Sequence, residues 1–240
     1  MRTRGDLRIS AKNLGAFALP GFCPRCFWLQ LRVGNRLPFQ IFPGIFSSID
    51  AYTKRVVHGW MDEVGVPPVW LSVLGEITGY IDPPHHSRFQ MMVPEQGLLL
   101  TGAPDGILRL ADGSIAIIDY KTAKYTGTQD ALLPMYEVQL NGYAAIAESL
   151  EMGRVSKLAL VYAEPVTDIE TARQRRMRQD DGFLMPFSIA IHLVALDLGR
   201  LPELYRKARL ISDLPEAPDR TPGCENCAKL DALMLAARKL

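Results

Sequence analysis

The sequence has no long apolar run. Although 48% of its 240 residues are hydrophobic, no segment approaches the roughly 20 consecutive apolar residues that a membrane-spanning helix needs. The amino-terminal stretch MRTRGDLRIS also lacks the apolar segment of a signal peptide. We therefore expect a soluble, cytoplasmic protein with no membrane partner.

Net charge is nearly absent too, because 27 basic residues face 26 acidic ones. A polyanion such as DNA would have to be bound by a local basic patch. The run TARQRRMRQ (171–179) is a candidate, since arginines neutralise phosphates without reading sequence, although such runs are also typical of plain solvated surface. The GxxxxGK[ST] motif is missing, which excludes a helicase motor within this chain.

Internal repeats, low-complexity tracts and Ser/Gly-rich linkers are missing as well, so we predict one domain over residues 1–240. We expect a core at about 89–200, an amino-terminal helical part at about 10–80 and a carboxyl-terminal segment at about 200–240.

Helical and strand patterns alternate along the chain. Apolar spacing predicts helices over 45–65, 132–153 and 198–211. Short runs rich in Ile, Leu and Val predict antiparallel strands between 89 and 122, and further strands over 155–165 and 187–196. This order predicts a mixed α/β fold, in which a central mixed sheet carries an antiparallel hairpin and is flanked by helices.

A tight turn determines the register of that hairpin. Asp112 and Gly113 favour a three-residue loop that begins at Ala111 and ends with Gly113 in the left-handed conformation. Leu110 then pairs with Ser114, and successive residues before Leu110 pair with successive residues after Ser114.

Three charges share one face at the end of this hairpin. The register sets Asp105 opposite Asp119, and alternation along the strand points Lys121 the same way. Neighbouring carboxylates repel unless a cation lies between them, and a divalent ion with oxygen ligands would remove the repulsion. The simpler alternative is a hairpin end in solvent with a surface Asp–Lys pair.

The motifs APD (103–105) and DYK (119–121), followed by an amphipathic helix, resemble the PD-(D/E)XK nuclease superfamily. The resemblance implies a restriction-endonuclease-like core. It also implies that Asp105, Asp119 and the backbone carbonyl of Tyr120 hold one Mg²⁺ or Mn²⁺, while Lys121 positions or helps deprotonate the attacking water.

A further motif resembles the RecB-like branch of the superfamily, which includes CRISPR-associated RecB-like exonucleases and AddB-type nucleases. QLNGY places Gln139 and Tyr143 on one helix face, and the resemblance implies that they orient the substrate or Lys121. RVVHGWMDE supplies the upstream histidine of the branch, His58, as a further metal ligand. An incidental polar residue on an amphipathic helix and a structural histidine are the simpler alternatives.

The four cysteines form two Cys-x-x-Cys pairs, at Cys23 and Cys26 and at Cys224 and Cys227. Each pair has the spacing that lets both sulfurs reach one metal, and a cytosolic setting disfavours disulfides. Either two incomplete sites exist or one four-thiolate site joins the chain ends. The RecB-like resemblance implies a 4Fe-4S cluster, but its usual division is one upstream and three downstream cysteines. The two-plus-two division keeps zinc as the competitor.

The resemblance as a whole implies a metal-dependent DNA nuclease, of exonuclease type, acting on single strands or DNA ends. It also implies roles in DNA repair or CRISPR adaptation, with a helicase or CRISPR integration proteins as partners in trans. The alternative is a catalytically silent or zinc-clasped nucleic-acid-binding or scaffold protein.

Overall fold

The computed structural model describes residues 7–34, 44–127 and 130–237. Its helices are α1 (Ala11–Gly15), α2 (Pro24–Arg32), α3 (Gly44–Val64), α4 (Leu133–Ser149), α5 (Ile169–Arg173), α6 (Leu201–Ser212) and α7 (Glu225–Ala237). Its strands are β1 (Leu7–Ser10), β2 (Ile77–Ile81), β3 (Gln90–Val93), β4 (Leu98–Thr101), β5 (Gly106–Leu110), β6 (Ile115–Lys121), β7 (Val155–Pro165), β8 (Arg178–Gln179), β9 (Gly182–Phe183) and β10 (Phe187–Val194). Both ends of the predicted 1–240 domain lie outside the described residues.

The central sheet has the strand order β10-β7-β6-β5-β2. Its β6 and β7 are parallel, whereas the β10–β7, β2–β5 and β5–β6 pairs are antiparallel. A smaller sheet has the order β1-β4-β3, and β8 pairs with β9. The predicted mixed α/β fold with a central mixed sheet is therefore confirmed, and it is consistent with a restriction-endonuclease-like core.

Helices cover both faces of the central sheet, which is why β6 reads as an almost unbroken apolar run. On one face Ile117 packs into a core with Leu140 of α4. On the other face Ile118 packs into a second core with Val57 of α3. β6 thus lies between two buried layers.

The turn that joins β5 to β6 follows the predicted geometry. Gly113 has φ +79°, a left-handed conformation that glycine adopts without steric cost. The Leu110 N–H donates to the Ser114 carbonyl at 2.9 Å, and the Gly113 N–H donates to the Leu110 carbonyl at 3.0 Å. Gly106 pairs with Ile118, so the predicted register is confirmed.

The helices predicted over 45–65, 132–153 and 198–211 correspond to α3, α4 and α6. α3 is the longest of these, with 21 residues. Within the described ranges, none of the helices has both the length and the apolar character needed to span a membrane.

Candidate active site

A cleft of about 690 Å³ opens at the carboxyl end of β6. It is lined by the end of the β5–β6 hairpin, by the first turns of α3 and by α4. The structure brings five of the predicted site residues together on its wall, namely Asp105, Asp119, Lys121, Gln139 and Tyr143. Tyr120 also lines it.

Asp119 is the most deeply buried acid of the cleft, with 3% of its surface exposed. Its carboxylate accepts hydrogen bonds from the Lys121 ammonium and from Nε2 of Gln139, the latter at 3.1 Å. The Lys121 ammonium also lies 4.0 Å from the centroid of the Tyr136 ring, a cation–π distance. A carboxylate and an aromatic ring therefore hold Lys121 from two sides.

Asp105 immediately precedes β5, and the hairpin register carries it to the level of Asp119. Its Oδ2 accepts a hydrogen bond from the Tyr120 N–H at 2.8 Å. Its Oδ1 lies 2.8 Å from the ammonium of Lys54 in α3. The two acids are thus neutralised by two different lysines, one from β6 and one from α3.

Burial determines the protonation behaviour of Asp119. Loss of hydration raises its pKa to about 6, with a further increase from the neighbouring Asp105, while the Lys121 ammonium acts in the opposite direction. Burial also raises the pKa of Asp50, which lines the same cleft, and repulsion from Asp105 adds to that increase. Asp105 thus acts on both Asp50 and Asp119, because the three carboxylates line one cleft.

Gln139 and Tyr143 lie one turn apart on α4, as predicted. The Gln139 Nε2 donates to the Tyr143 hydroxyl at 2.7 Å as well as to Asp119. Burial raises the pKa of Tyr143 above its ordinary value, so this hydroxyl stays neutral. The Gln139 Oε1 is buried and has no hydrogen-bond partner among the described residues, which leaves an open acceptor beside Asp119.

The donors of the cleft fit a divalent cation. The carboxylates of Asp105 and Asp119 and the carbonyl of Tyr120 are hard oxygen ligands of the kind that Mg²⁺ and Mn²⁺ prefer. The raised pKa of Asp119 shows the unfavourable charge that such a cation would relieve. We therefore assign the candidate cation site to this end of β6.

His58 requires a correction, because the structure does not bring it to the carboxylates. Its ring stacks on Tyr80, with 4.0 Å between the centroids, and it is not among the residues that line the cleft. His58 follows Asp50 by eight residues in α3, which amounts to about 12 Å along the helix axis. The structure therefore places His58 away from the acids of the cleft, although it lies on the same helix as Asp50.

Asp50 and Lys54 are the residues that sequence reasoning missed. Asp50 lines the cleft, and the Lys54 ammonium lies 2.9 Å from the Asp50 carboxylate and 2.8 Å from that of Asp105. The sequence contained one indication of these residues. Asp50 and Lys54 are four positions apart and so lie on one helix face, which also carries His58. Such pairs are common on solvated helices, so the spacing alone does not point to a site.

The arginine run at 171–179 extends from the end of α5 through β8. Its four arginines, Arg173, Arg175, Arg176 and Arg178, are exposed and do not line the cleft. Phosphate contact by this run stays a prediction.

The four cysteines converge, although about 200 residues separate the two pairs. Their sulfurs all lie within 4.8 Å of one another. Sγ–Sγ distances are 3.7 Å for Cys23–Cys227, 3.5 Å for Cys26–Cys224 and 3.4 Å for Cys26–Cys227. Within the described part of the chain this is the one group of three or more Cys, His, Asp or Glu side chains close enough to hold an ion.

Each cysteine pair spans the first turn of a helix. Cys23 and Cys26 flank the start of α2, and Cys224 and Cys227 flank the start of α7. Helix starts present N–H groups that favour negative charge. Burial acts to raise the pKa of Cys23, but hydrogen bonds from the N–H groups of Cys26 and Thr221 lower it to about 7. Cys23 therefore favours the thiolate form that binds metals, whereas burial raises the pKa of Cys26 and of Cys227.

Polar contacts surround the cysteine cluster and join the two ends of the chain. Asp231 in α7 accepts from Arg25 in α2 at 3.2 Å and from Arg220 at 2.9 Å. The Thr221 hydroxyl donates to the Phe22 carbonyl at 2.8 Å. We call the four cysteines with these contacts the clasp.

Comparison with known protein families matches residues 49–231 to the family described as the PD-(D/E)XK nuclease superfamily. A search of curated proteins found no significant match. Among solved structures, one described as "Crystal structure of SSO0001" is 14% identical and has a TM-score of 0.41, and the alignment covers 89% of this chain and 81% of that one.

Proposed function

The chain belongs to the PD-(D/E)XK nuclease superfamily, and from this premise we propose that it is a Mg²⁺- or Mn²⁺-dependent deoxyribonuclease that acts on single strands or DNA ends. One observation carries the proposal. Asp105, buried Asp119 and Lys121 meet at the end of one hairpin, in a cleft that is open to a substrate.

Asp105, Asp119 and the Tyr120 carbonyl would hold the cation. When bound, it polarises the scissile phosphate and lowers the pKa of water. The protein side chains supply the rest. Lys121, held by Asp119 and Tyr136, presents an ammonium that orients the attacking water and stabilises the charge that develops on the phosphate oxygens.

Gln139 and Tyr143 act as neutral hydrogen-bonding groups. Gln139 donates to Asp119 and so restrains the carboxylate that pairs with Lys121, and Tyr143 supports Gln139. Their position beside the two acids supports placing the chain in the RecB-like branch, as does the convergence of the four cysteines. We propose this branch, and with it an end-processing activity.

The first prediction tests the proposed reaction. Asp119→Ala should reduce DNA cleavage in Mg²⁺ or Mn²⁺ to the level seen with EDTA, because it removes a cation ligand and the partner of Lys121, while circular dichroism shows an intact fold. Cleavage of labelled single-stranded and double-stranded DNA is the measurement. Wild-type activity in this variant would mean that the site is wrongly assigned. A folded, metal-binding wild type that cuts no DNA or RNA would support the catalytically silent alternative.

The second prediction concerns Gln139 and Tyr143, the two neutral hydrogen-bonding groups of the cleft. Tyr143→Phe and Gln139→Ala should lower turnover by about 10- to 100-fold, the usual cost of losing a group that orients a ligand. Affinity for Mn²⁺ should change little, because neither group carries the charge that binds the cation. A complete loss of both Mn²⁺ binding and activity in Tyr143→Phe would contradict these roles.

We further propose that the clasp binds one zinc ion, and not the 4Fe-4S cluster that the resemblance implies. A tetrahedral zinc site with Zn–S bonds of about 2.3 Å has sulfurs about 3.8 Å apart. Three of the six separations, at 3.4, 3.5 and 3.7 Å, are close to this value, and all six are within 4.8 Å. A four-iron cluster places irons and sulfides between the thiolates and so needs them farther apart.

Anaerobic purification followed by analysis of zinc, iron and sulfide would test this proposal. A colourless protein with one zinc per chain is the expected result, and Cys224→Ser should release the ion whereas Asp119→Ala should retain it. A brown protein that contains iron and acid-labile sulfide would support the cluster.

We also propose that the chain is one domain, because α2 and α7 pack together at the clasp. The helicase and CRISPR integration partners stay predictions from the resemblance.

A further inference from the structure

The helix face that carries Gln139 and Tyr143 continues outward as an apolar surface. Leu132, Met135 and Tyr136 line the same cleft as these two residues, and their helical spacing places all five on one face of α4. Tyr143 is 5% exposed and Gln139 is 4% exposed, whereas Leu132, which immediately precedes the helix, is 42% exposed. This face therefore leads from the acids toward solvent. We call Leu132, Met135 and Tyr136 its outer part.

Two hydrogen bonds fix the exposed end of the outer part. One carboxylate oxygen of Asp130 accepts from the Leu132 N–H at 2.8 Å, and the other accepts from the Tyr162 hydroxyl at 2.8 Å. Tyr162 is 1% exposed and belongs to the core that packs against α4. An exposed leucine is thus held in place by a buried anchor. Such a preorganised surface loses little conformational freedom when a ligand binds to it.

Tyr136 connects this apolar surface to the proposed chemistry. Its ring centroid lies 4.0 Å from the Lys121 ammonium, and burial raises the pKa of its phenol to about 12, so the group stays neutral. The scissile phosphate would lie at Asp105 and Asp119. The part of the same nucleotide that suits an apolar and aromatic surface is its base, because every base has a flat face that stacks on such side chains.

The size and charge of the cleft also suit a nucleotide. Its volume of about 690 Å³ lies within the roughly 300–1,000 Å³ typical of pockets that take small ligands. Lys12 of α1 lines it together with Met135, and these two residues also line a neighbouring cavity of about 310 Å³. A positive charge that borders stacking side chains is typical of sites that bind single strands. The cleft therefore offers one surface for a base and one charge for the backbone beside it.

We propose that the outer part of the α4 face binds the unpaired base next to the scissile phosphate, and that Lys12 binds a neighbouring phosphate of the same strand. The inference rests on the proposed nuclease function, because the acids of the cleft determine where the scissile phosphate lies. It narrows the substrate to a single strand or a frayed end, since a base inside a duplex is paired and stacked on its neighbours. Contact through the ring face accepts any of the four bases.

Strands without bases test this contact independently of cleavage. Fluorescence anisotropy in EDTA measures the affinity for a short labelled single strand and for an abasic strand of the same length. The wild type should bind the intact strand about tenfold more tightly or better, the usual contribution of a stacked base. Leu132→Ala and Tyr136→Ala should each reduce this preference several-fold, and the affinity of Leu132→Ala for blunt duplex should equal that of the wild type.

Lys12→Met separates the phosphate contact from the base contact. It should weaken binding of the intact and the abasic strand by the same factor, and it should lower the dependence of affinity on salt. Leu150→Ala is the matched control, because Leu150 follows the other end of α4, is 39% exposed and is not among the described residues that line the cleft. Leu150→Ala should bind both strands as the wild type does.

A wild type that binds the intact and the abasic strand equally would overturn the base contact. An unchanged preference in Leu132→Ala would do the same, and this variant decides the matter even if Tyr136→Ala does not fold, because Leu132 is exposed. Wild-type affinity in Lys12→Met would overturn the phosphate contact. The proposed function has a separate test: a protein that prefers the intact strand but cuts no nucleic acid in Mn²⁺ or Mg²⁺ would contradict the nuclease and support the base contact alone.

Discussion

At the scale of single residues, the cleft holds acids that are unfavourable for the fold in the absence of a cation. Asp119 is buried and lies near Asp105 and Asp50. Its burial and the negative charges of these two neighbours all raise its pKa. Burial of a charge costs stability unless the charge is paired. Lys121 offsets part of this cost, and the remaining part should appear as a pH-dependent stability of the metal-free protein.

The pH prediction follows from the direction of that shift. The folded pKa of Asp119 is about 6, against 3.8 for the unfolded chain. The folded state therefore binds this proton more tightly than the unfolded chain does, and protonation stabilises the fold. The stabilisation is complete below pH 3.8 and is lost as the pH rises through about 6. Thermal unfolding in EDTA from about pH 4 to 7 should show a decline that Asp119→Asn lacks. Parallel curves for the two proteins would show that Asp119 titrates normally.

At the scale of elements, close packing of α1 against α4 positions the helix that carries Gln139 and Tyr143. Gly15 in α1 lies against the Met135 carbonyl, and a Cβ added at Gly15 would be 2.3 Å from that oxygen. Gly142 in α4 has the same relation to Ala11, where an added Cβ would be 2.8 Å from the alanine Cβ. Two glycines thus allow the helices to approach closely.

Gly15→Ala should therefore destabilise the protein by about 3 kcal/mol, because the obstructing atom is backbone and the helices must separate. DNA cleavage should fall as well, since α4 would shift relative to β6. Gly59→Ala in α3 is the control, because its added Cβ meets nothing within 4 Å and the change should stabilise the helix by about 1 kcal/mol. Equal melting temperatures for the two variants would show that the close contact between α1 and α4 does not limit the stability of the protein.

At the scale of the whole molecule, the clasp joins the two ends of the chain. Cys23 and Cys227 are 204 residues apart in sequence, yet their sulfurs are 3.7 Å apart. The unfolded chain does not hold four thiolates together, so the free energy of metal binding adds to the free energy of folding. A metal bound at the clasp would stabilise the connection between α2 and α7, at a place separate from the candidate active site.

Replacing one cysteine from either pair, Cys26→Ser or Cys224→Ser, should release the metal and lower the free energy of unfolding by several kcal/mol. Arg220→Ala, which removes an exposed ion pair to Asp231, should cost less than about 1 kcal/mol. Thermal unfolding and metal analysis of the same samples provide the measurement. Metal retention in one cysteine variant and loss in the other would argue against a shared site.

The sequence by itself determined the parts of the protein that depend on local geometry. Asp112 and Gly113 select one turn, the turn selects one register, and strand alternation then places Asp105, Asp119 and Lys121 on one face, as the structure has them. The spacing of Gln139 and Tyr143 likewise requires only the period of a helix.

Only the tertiary structure decided which distant groups complete the site. The packing of α3 determines that Asp50 and Lys54 lie near Asp105 whereas His58 packs on Tyr80. Helical periodicity alone does not distinguish them, because all three residues lie four positions apart along one helix face. The convergence of the cysteine pairs likewise depends on how α2 and α7 pack at the ends of the chain. Local preferences act over a few residues, whereas these contacts join segments 50 to 200 residues apart, and only the packed core brings them together.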